Sequence, residues 1–258
     1  MSWRIGIIGF GKIAQDQHLP AIAANPAFEL AGVVSPHAPA PAGVPRFADH
    51  LAMLAALPGS PPRAAACSTP PGIRAMRRRS RKRGGGSRAK WCAACASSGR
   101  RVRRWHPGQQ WIWQAGGFGV FDPGINALSI ATSIMPAPLF VRHAELYFPA
   151  NRDTPIAADL DLGEGFAAVF DWRQTGDQIW EIEADTDAFR LKLAGGGGRL
   201  DVDGELITDE ARAEYAAIYR RFDDLLRAGT SDVDAAPLRL VADAFMIGRR
   251  ASVEPFQD

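Results

Sequence analysis

Residues 4–14 read RIGIIGFGKIA, and this run decides the architecture of the N-terminal half. Arg4–Phe10 is an apolar stretch rich in isoleucine, the pattern of a strand buried on both faces of a parallel sheet. It passes without a break into Gly9-Phe10-Gly11-Lys12-Ile13-Ala14, a GxGxxA turn. A helix-like stretch continues to Asn25-Pro26, and a second apolar run covers Phe28–Ser35. Strand, glycine turn, helix and strand within one unit describe the nucleotide-binding half of a doubly wound sheet. Gly9 permits the tight turn, Gly11 lets the backbone approach a diphosphate, and Ala14 allows close helix packing. The segment Gly9, Phe10, Gly11, Lys12 and Ile13 is therefore the expected cofactor-binding turn, with free N–H groups and the positive end of a helix dipole. The bland alternative is a glycine turn that binds nothing.

The end of the second run bears on which dinucleotide fits. An NAD site places Asp or Glu there to accept from the ribose 2′-hydroxyl. Here the residues are Ser35-Pro36-His37. A carboxylate would repel a 2′-phosphate, whereas Ser35 and His37 can donate to one, so NADP is the expected cofactor and NAD is allowed. Either residue could equally be an ordinary loop residue.

At 258 residues the chain holds one large domain or two modest ones. Its formal charge of +2 is lopsided. No Asp or Glu lies between Asp49 and Asp122, while 14 of the 30 Lys and Arg fall between Arg63 and Arg104. The remaining 16 basic against 28 acidic residues leave a body of charge −12, which argues against general affinity for nucleic acid. The N-terminus lacks the pattern of a signal peptide, and no apolar run approaches the ~20 residues that span a bilayer. Three cysteines without a secretion signal point to the cytoplasm. Cys92 and Cys95 form a lone CxxC, with no second ligand pair to make a metal site.

GFGKIAQDQHLPAI at 9–22, CSTPPGIR at 67–74 and GGFGVFDPGINALSI at 116–130 together resemble the glucose–fructose oxidoreductase and inositol dehydrogenase family, in its branch of bacterial galactose- and arabinose-type 1-dehydrogenases. The resemblance covers residues 1–74 and 102–258, and Asp-Pro-Gly-Ile-Asn is its most specific string. It implies an N-terminal Rossmann domain, here truncated, and a C-terminal α+β domain with an open, mostly antiparallel sheet. We place these at 1–88 and 89–258. It implies oxidation of an aldose at C1 to its lactone, with Thr69, Pro70 and Pro71 along the cofactor and Asp122 and Asn126 at the reacting carbon. It also implies aromatic groups about the sugar, for which Trp105, His106, Trp113 and Trp180 are the candidates, although each tryptophan suits a core equally well.

Spacing bears on the carboxylate independently. Asp122 and Asn126 are four apart, so a helix opened by Pro123 sets them on one face, one turn apart. A carboxylate beside a hydrogen-bonding neighbour can take the anomeric hydroxyl proton while hydride leaves. The competing reading makes Asp122 a helix N-cap and Asn126 merely solvated. Further on, alternating runs over Leu139–Phe148, Ile156–Leu162, Gly165–Trp172, Gln178–Ala184, Phe189–Leu193 and Arg199–Val202 predict strands, and Asp209–Ala228 and Ala235–Arg250 predict helices. An open sheet with an apolar outer side would suit a homodimer.

Residues 75–101 break the family pattern. A helix, a strand and a Glu-Lys-Pro motif should follow the TPPxxRH string, and the four lysines, Lys12, Lys82, Lys90 and Lys192, stand in no such motif. Written in common codons, KWCAACASSGRR read from its third base becomes VVRRLRIIWKE, an alternating strand. The same phase turns AMRRRSRKR into HAPPLAKAR, restoring TPPxxRH. The segment thus reads as an out-of-frame translation beside a deletion of roughly fifty positions. The alternative is a basic arm for nucleic acid or an acidic partner.

Overall fold

The computed structural model describes residues 2–57, 90–96, 110–135, 137–163, 165–173, 179–185, 189–209 and 214–257, with 90–96 and 111 known by backbone alone. The chain forms two compact units, Met1–Ser68 with Arg212–Val233, and Thr69–Ala211 with Asp234–Asp258. The helices are α1 (Leu19–Ala23), α2 (His50–Ala56), α3 (Phe121–Ile134), α4 (Glu214–Ala228) and α5 (Ala236–Ile247).

In the first unit, β1 (Trp3–Ile8), β2 (Phe28–Val34) and β3 (Arg46–Phe47) form a parallel sheet with β2 in the middle. The glycine turn leads from β1 into a π-turn over Ala14–His18 and then α1. Asp49 caps α2, its carboxylate accepting from Ala52 N–H at 2.8 Å. Two glycines flatten the sheet beneath α2: a Cβ on Gly6 would stand 2.7 Å from the Met53 methyl, and one on Gly32 2.7 Å from the Phe47 ring. The opposite face carries Trp3, Ile5 and Ile7 against Ile22, Phe28 and Tyr219.

Two expectations are corrected here. β1 is not buried on both faces: Arg4, Gly6 and Ile8 alternate outward, and Ile8 is 66% exposed. Among the described residues β1 has one strand neighbour, β2, and a doubly wound sheet buries its first strand only with neighbours on both sides. The helix expected over Asp209–Ala228 begins at Glu214, and it belongs to the first unit instead of continuing the second. Phe28 stacks on Phe222 at 5.6 Å, Tyr219 meets Phe28 edge-on at 5.5 Å, and Trp3 Nε1 donates to Asp223 at 2.8 Å. These contacts draw α4 onto β2 and away from the sheet that precedes it in sequence.

Among the described residues the second unit is built on nine strands. β4 (Lys90–Ala96), β5 (His143–Pro149), β6 (Ala157–Gly163), β7 (Phe166–Asp171), β8 (Ile179–Asp185), β9 (Arg190–Ala194), β10 (Arg199–Val202), β11 (Glu205–Asp209) and β12 (Arg249–Val253) lie in the order β11-β10-β9-β8-β4-β7-β6-β5-β12. Among the described residues only the β4–β7 and β5–β12 pairs of this sheet are parallel. One face buries Leu146, Leu160, Phe170, Ile182 and Leu193 beneath α3 and α5. β11 and β12 adjoin the two expected helical runs and take from them only Asp209 and Arg249–Arg250; the rest of both strands lies where no element was expected. Each adds an edge strand to a sheet whose neighbour already offers unpaired N–H and C=O groups, so pairing overrides the local pattern.

The outer face is charged rather than apolar, which corrects another expectation. Lys192 bridges Glu181 at 2.9 Å and Glu183 at 3.3 Å, Arg190 meets Asp185 at 2.6 Å, and Arg199 meets Asp201 at 3.0 Å. Arg249 pairs with Glu145, and Tyr147 donates to Asp159 at 2.9 Å. No helix among the described residues is long and apolar enough to cross a membrane.

Candidate active site

The glycine turn is anchored at its start and open at its top. Gly9 takes φ +85°, and its N–H donates to the Val34 carbonyl at 2.9 Å, tying the turn to β2. Phe10 turns its ring into the core beside Ala14 and Val33. A Cβ on Gly11 would meet no protein atom within 4 Å, and Gly11 has no left-handed φ to justify it. Among the described residues neither packing nor conformation requires glycine there, and the space leaves room for a ligand against the backbone. That open cradle fits a dinucleotide diphosphate. The first backbone bond of the coil runs from Gln15 N–H to Gly11 C=O at 3.1 Å, and among the described residues the N–H groups of Gly11, Lys12 and Ile13 donate to no protein acceptor. Lys12 pairs with Asp16, and Ile13 is 58% exposed beside the cradle.

Ser35 is only 4% exposed, and its hydroxyl accepts from Ala38 N–H at 2.9 Å, shaping the turn after β2. His37 is exposed. Thr69, Pro70, Pro71, Trp105 and His106 lie outside the described residues.

The carboxylate sits in the first turn of α3. The helix starts at Phe121, with Val120 in the cap position and no side-chain cap bond, so Asp122 is inside the helix and is not its N-cap. The chain is held there by Gly119, whose φ is +54° and whose imagined Cβ would lie 2.3 Å from the Pro155 carbonyl oxygen. That same oxygen accepts from Val120 N–H at 2.8 Å. One turn on, Gly124 lets α3 settle onto the Phe170 ring, which a Cβ would approach to 3.1 Å. Asp122 is thereby half-buried, Asn126 is exposed one turn later, and burial raises the Asp122 carboxyl above the ordinary carboxylate value. Among the described residues no hydrogen bond or ion pair reaches the Asp122 carboxylate.

Of the tryptophans, Trp113 is 5% exposed and meets Trp172 at 5.1 Å and Phe256 at 5.1 Å. Its indole is occupied by the core. Trp180 is half-exposed and, with Ile179, Glu181, Ala194, Gly195 and Gly196, lines a recess of about 480 Å³. Cys95 stands opposite Trp180 on one side and Phe170 on the other, so Trp180 lies two strands, about 10 Å, from the ring on which α3 rests. Ile130 of α3 and Trp180 both approach Gly197, within 3.4 and 3.8 Å of where its Cβ would stand.

Two positions escaped the reading of the sequence. Gln15 donates to the Phe10 carbonyl at 3.1 Å, and the only hint was an amide one residue past the GxGxxA string. Gly119 was legible only as part of a glycine-rich run.

No family model matches the chain. Galactose 1-dehydrogenase from Pseudomonas fluorescens is 41% identical over 99% of each chain. That alignment runs over 305 positions against 258 residues, so at least 47 positions of the relative have no counterpart here. The crystal structure of D-galactose-1-dehydrogenase from Rhizobium etli is 39% identical, covers 99% of this chain and 98% of its own, and superposes with a TM-score of 0.79. A 3-ketoreductase from Actinomadura kijaniata, solved with NADP and TDP-benzene, shares the fold at 16% identity, with a TM-score of 0.66 over 98% of this chain and 100% of its own.

Proposed function

The chain belongs to the glucose–fructose oxidoreductase and inositol dehydrogenase family, and on that premise we propose that it is an NAD(P)-dependent dehydrogenase of galactose or a similarly shaped aldose. The observation that carries the proposal is Asp122, a half-buried carboxylate without a partner among the described residues, one helical turn from Asn126. Bound NADP supplies the hydride acceptor. The chain's own part is to hold the diphosphate at Gly9–Ile13, orient the sugar through Asn126 and the Trp180 indole, and take the anomeric O1 proton on Asp122. Loss of that proton and of the C1 hydride leaves a C1 carbonyl, the lactone. A carboxyl raised by burial is a stronger base than an ordinary one, which suits it to a weakly acidic hydroxyl.

The missing positions favour a second reading, binding of sugar and dinucleotide without turnover. Lys12 and Lys192 are engaged with neighbouring carboxylates, and Lys90 stands opposite Asp185, at the far end of β8 from Trp180. Galactose, arabinose and fucose assayed with NADP⁺ and NAD⁺ separate the two. Reduced cofactor that disappears in Asp122→Asn supports the dehydrogenase. Binding of both ligands without reduced cofactor supports the silent relative.

A further inference from the structure

We infer that Gln15 is a positioning residue for the cofactor diphosphate, acting through the peptide that joins Phe10 to Gly11. Its Nε2 donates to the Phe10 carbonyl oxygen at 3.1 Å. The peptide is trans, and in a planar trans peptide the C=O and the following N–H point in opposite directions. A fixed Phe10 oxygen therefore fixes the Gly11 N–H, which donates to no protein acceptor among the described residues.

This peptide needs such a restraint more than its neighbours do. It lies between Phe10, which follows the left-handed Gly9 at φ +85°, and Gly11, which carries no Cβ to forbid either orientation of the plane. The buried Phe10 ring holds the Cα but leaves the plane free to rotate. A flipped plane would present a carbonyl oxygen where the turn now presents an N–H, and an acceptor repels a diphosphate. Gln15 reaches back because side chains on a coil lean toward its N-terminus. The Lys12–Asp16 pair occupies neighbouring positions and does not contact the Phe10 oxygen.

The inference rests on the NAD(P) reading above. Gln15→Met keeps the length of the side chain and removes the donor. Titration of the full-length chain with NADPH, ADP and adenosine, together with thermal melting, reads the consequence. NADPH and ADP should bind about three- to tenfold more weakly, the worth of one hydrogen bond, with adenosine affinity unchanged and melting temperature lowered by only a few degrees. Gln15→Glu, which cannot donate at neutral pH and brings a charge to the turn, should weaken ADP further. Equal ADP affinity in wild type and Gln15→Met, or a parallel loss for adenosine, would overturn the assignment while leaving cofactor binding intact. Failure of the wild type to bind NADPH at all would overturn the cofactor reading and this inference with it.

Discussion

Gly119→Ala tests whether the start of α3, and with it Asp122, is held by a single steric fit. Alanine at φ +54° costs about 1 kcal/mol for the left-handed backbone. Its Cβ would also stand 2.3 Å from the Pro155 oxygen, about an ångström inside ordinary contact, and both partners are backbone, so the chain must part there. Parting stretches the 2.8 Å bond from Val120 N–H and strands a buried carbonyl, at about 1–3 kcal/mol. A total of about 3 kcal/mol corresponds to a fall of about 6–12 °C in melting temperature for a domain of this size. Gly116→Ala is the control: its φ is +90° but its Cβ would meet nothing within 4 Å, so only the backbone cost of about 1 kcal/mol, or about 2–4 °C, should appear. Differential scanning calorimetry on both variants decides the matter. Equal shifts would refute the claim that Pro155 sets the position of the helix.

Asp122→Asn should lower turnover about 10²- to 10⁴-fold while melting at or above the wild-type temperature, because a half-buried carboxylate without a partner among the described residues is removed. In the wild type the acidic limb of the rate profile should lie above the ordinary carboxylate value of 3.8, since the base must ionise and burial raises its pKa. Trp180→Ala should raise the KM for sugar about tenfold, the order expected for a lost aromatic face, with NADPH affinity unchanged in titration. His18 is depressed below its ordinary 6.5 by burial, and its Nδ1 lies 3.0 Å from the Tyr219 hydroxyl, itself pushed up to about 12 by burial and then by Tyr215. The unfolded chain therefore takes up a proton near 6.5 that the folded chain resists, so stability should fall as pH drops through 6.5. His18→Phe should flatten that dependence in pH-resolved melts, and an unchanged slope would remove His18 as its source.

The parts of the fold that announce themselves in sequence are those whose cause is local. GFGKIA required a turn with open N–H groups, and it has one; the alternating runs from 143 to 202 became β5 to β10 because period-two patterning is set by which face is buried. The parts that stayed hidden are decided by distant partners. β11 and β12 look like helix flanks until a neighbouring strand presents an unpaired edge, and α4 looks like the second unit's helix until Phe28 and Trp3 claim it. At the site the same division holds. Asp122 and Asn126 are legible from a four-residue spacing, whereas the engagement of Trp113 in the core depends on Trp172 and Phe256, far away in sequence.

β4 is the sharpest case. Its sequence, KWCAACA, has little preference for extended structure, since alanine is depleted in strands. Yet it runs between β7 and β8, parallel to one and antiparallel to the other, although those two are consecutive in the chain and could have paired as a hairpin. That slot demands a strand whose period matches its neighbours: positions 91, 93 and 95 face the row of Ala184, Ile182 and Trp180, and positions 92 and 94 face the row of Glu183 and Glu181. The shifted reading, VVRRLRIIWKE, has the β-branched and alternating character that such a slot selects. The relative's excess of at least 47 positions agrees in size with the deletion of about fifty that the same reading requires. Sequencing the gene tests both at once. A second codon phase across 75–101 encoding an alternating strand explains why a central slot is filled by a poor strand former; a gene with no such phase would leave the basic segment as the chain's own and return the nucleic-acid arm to first place.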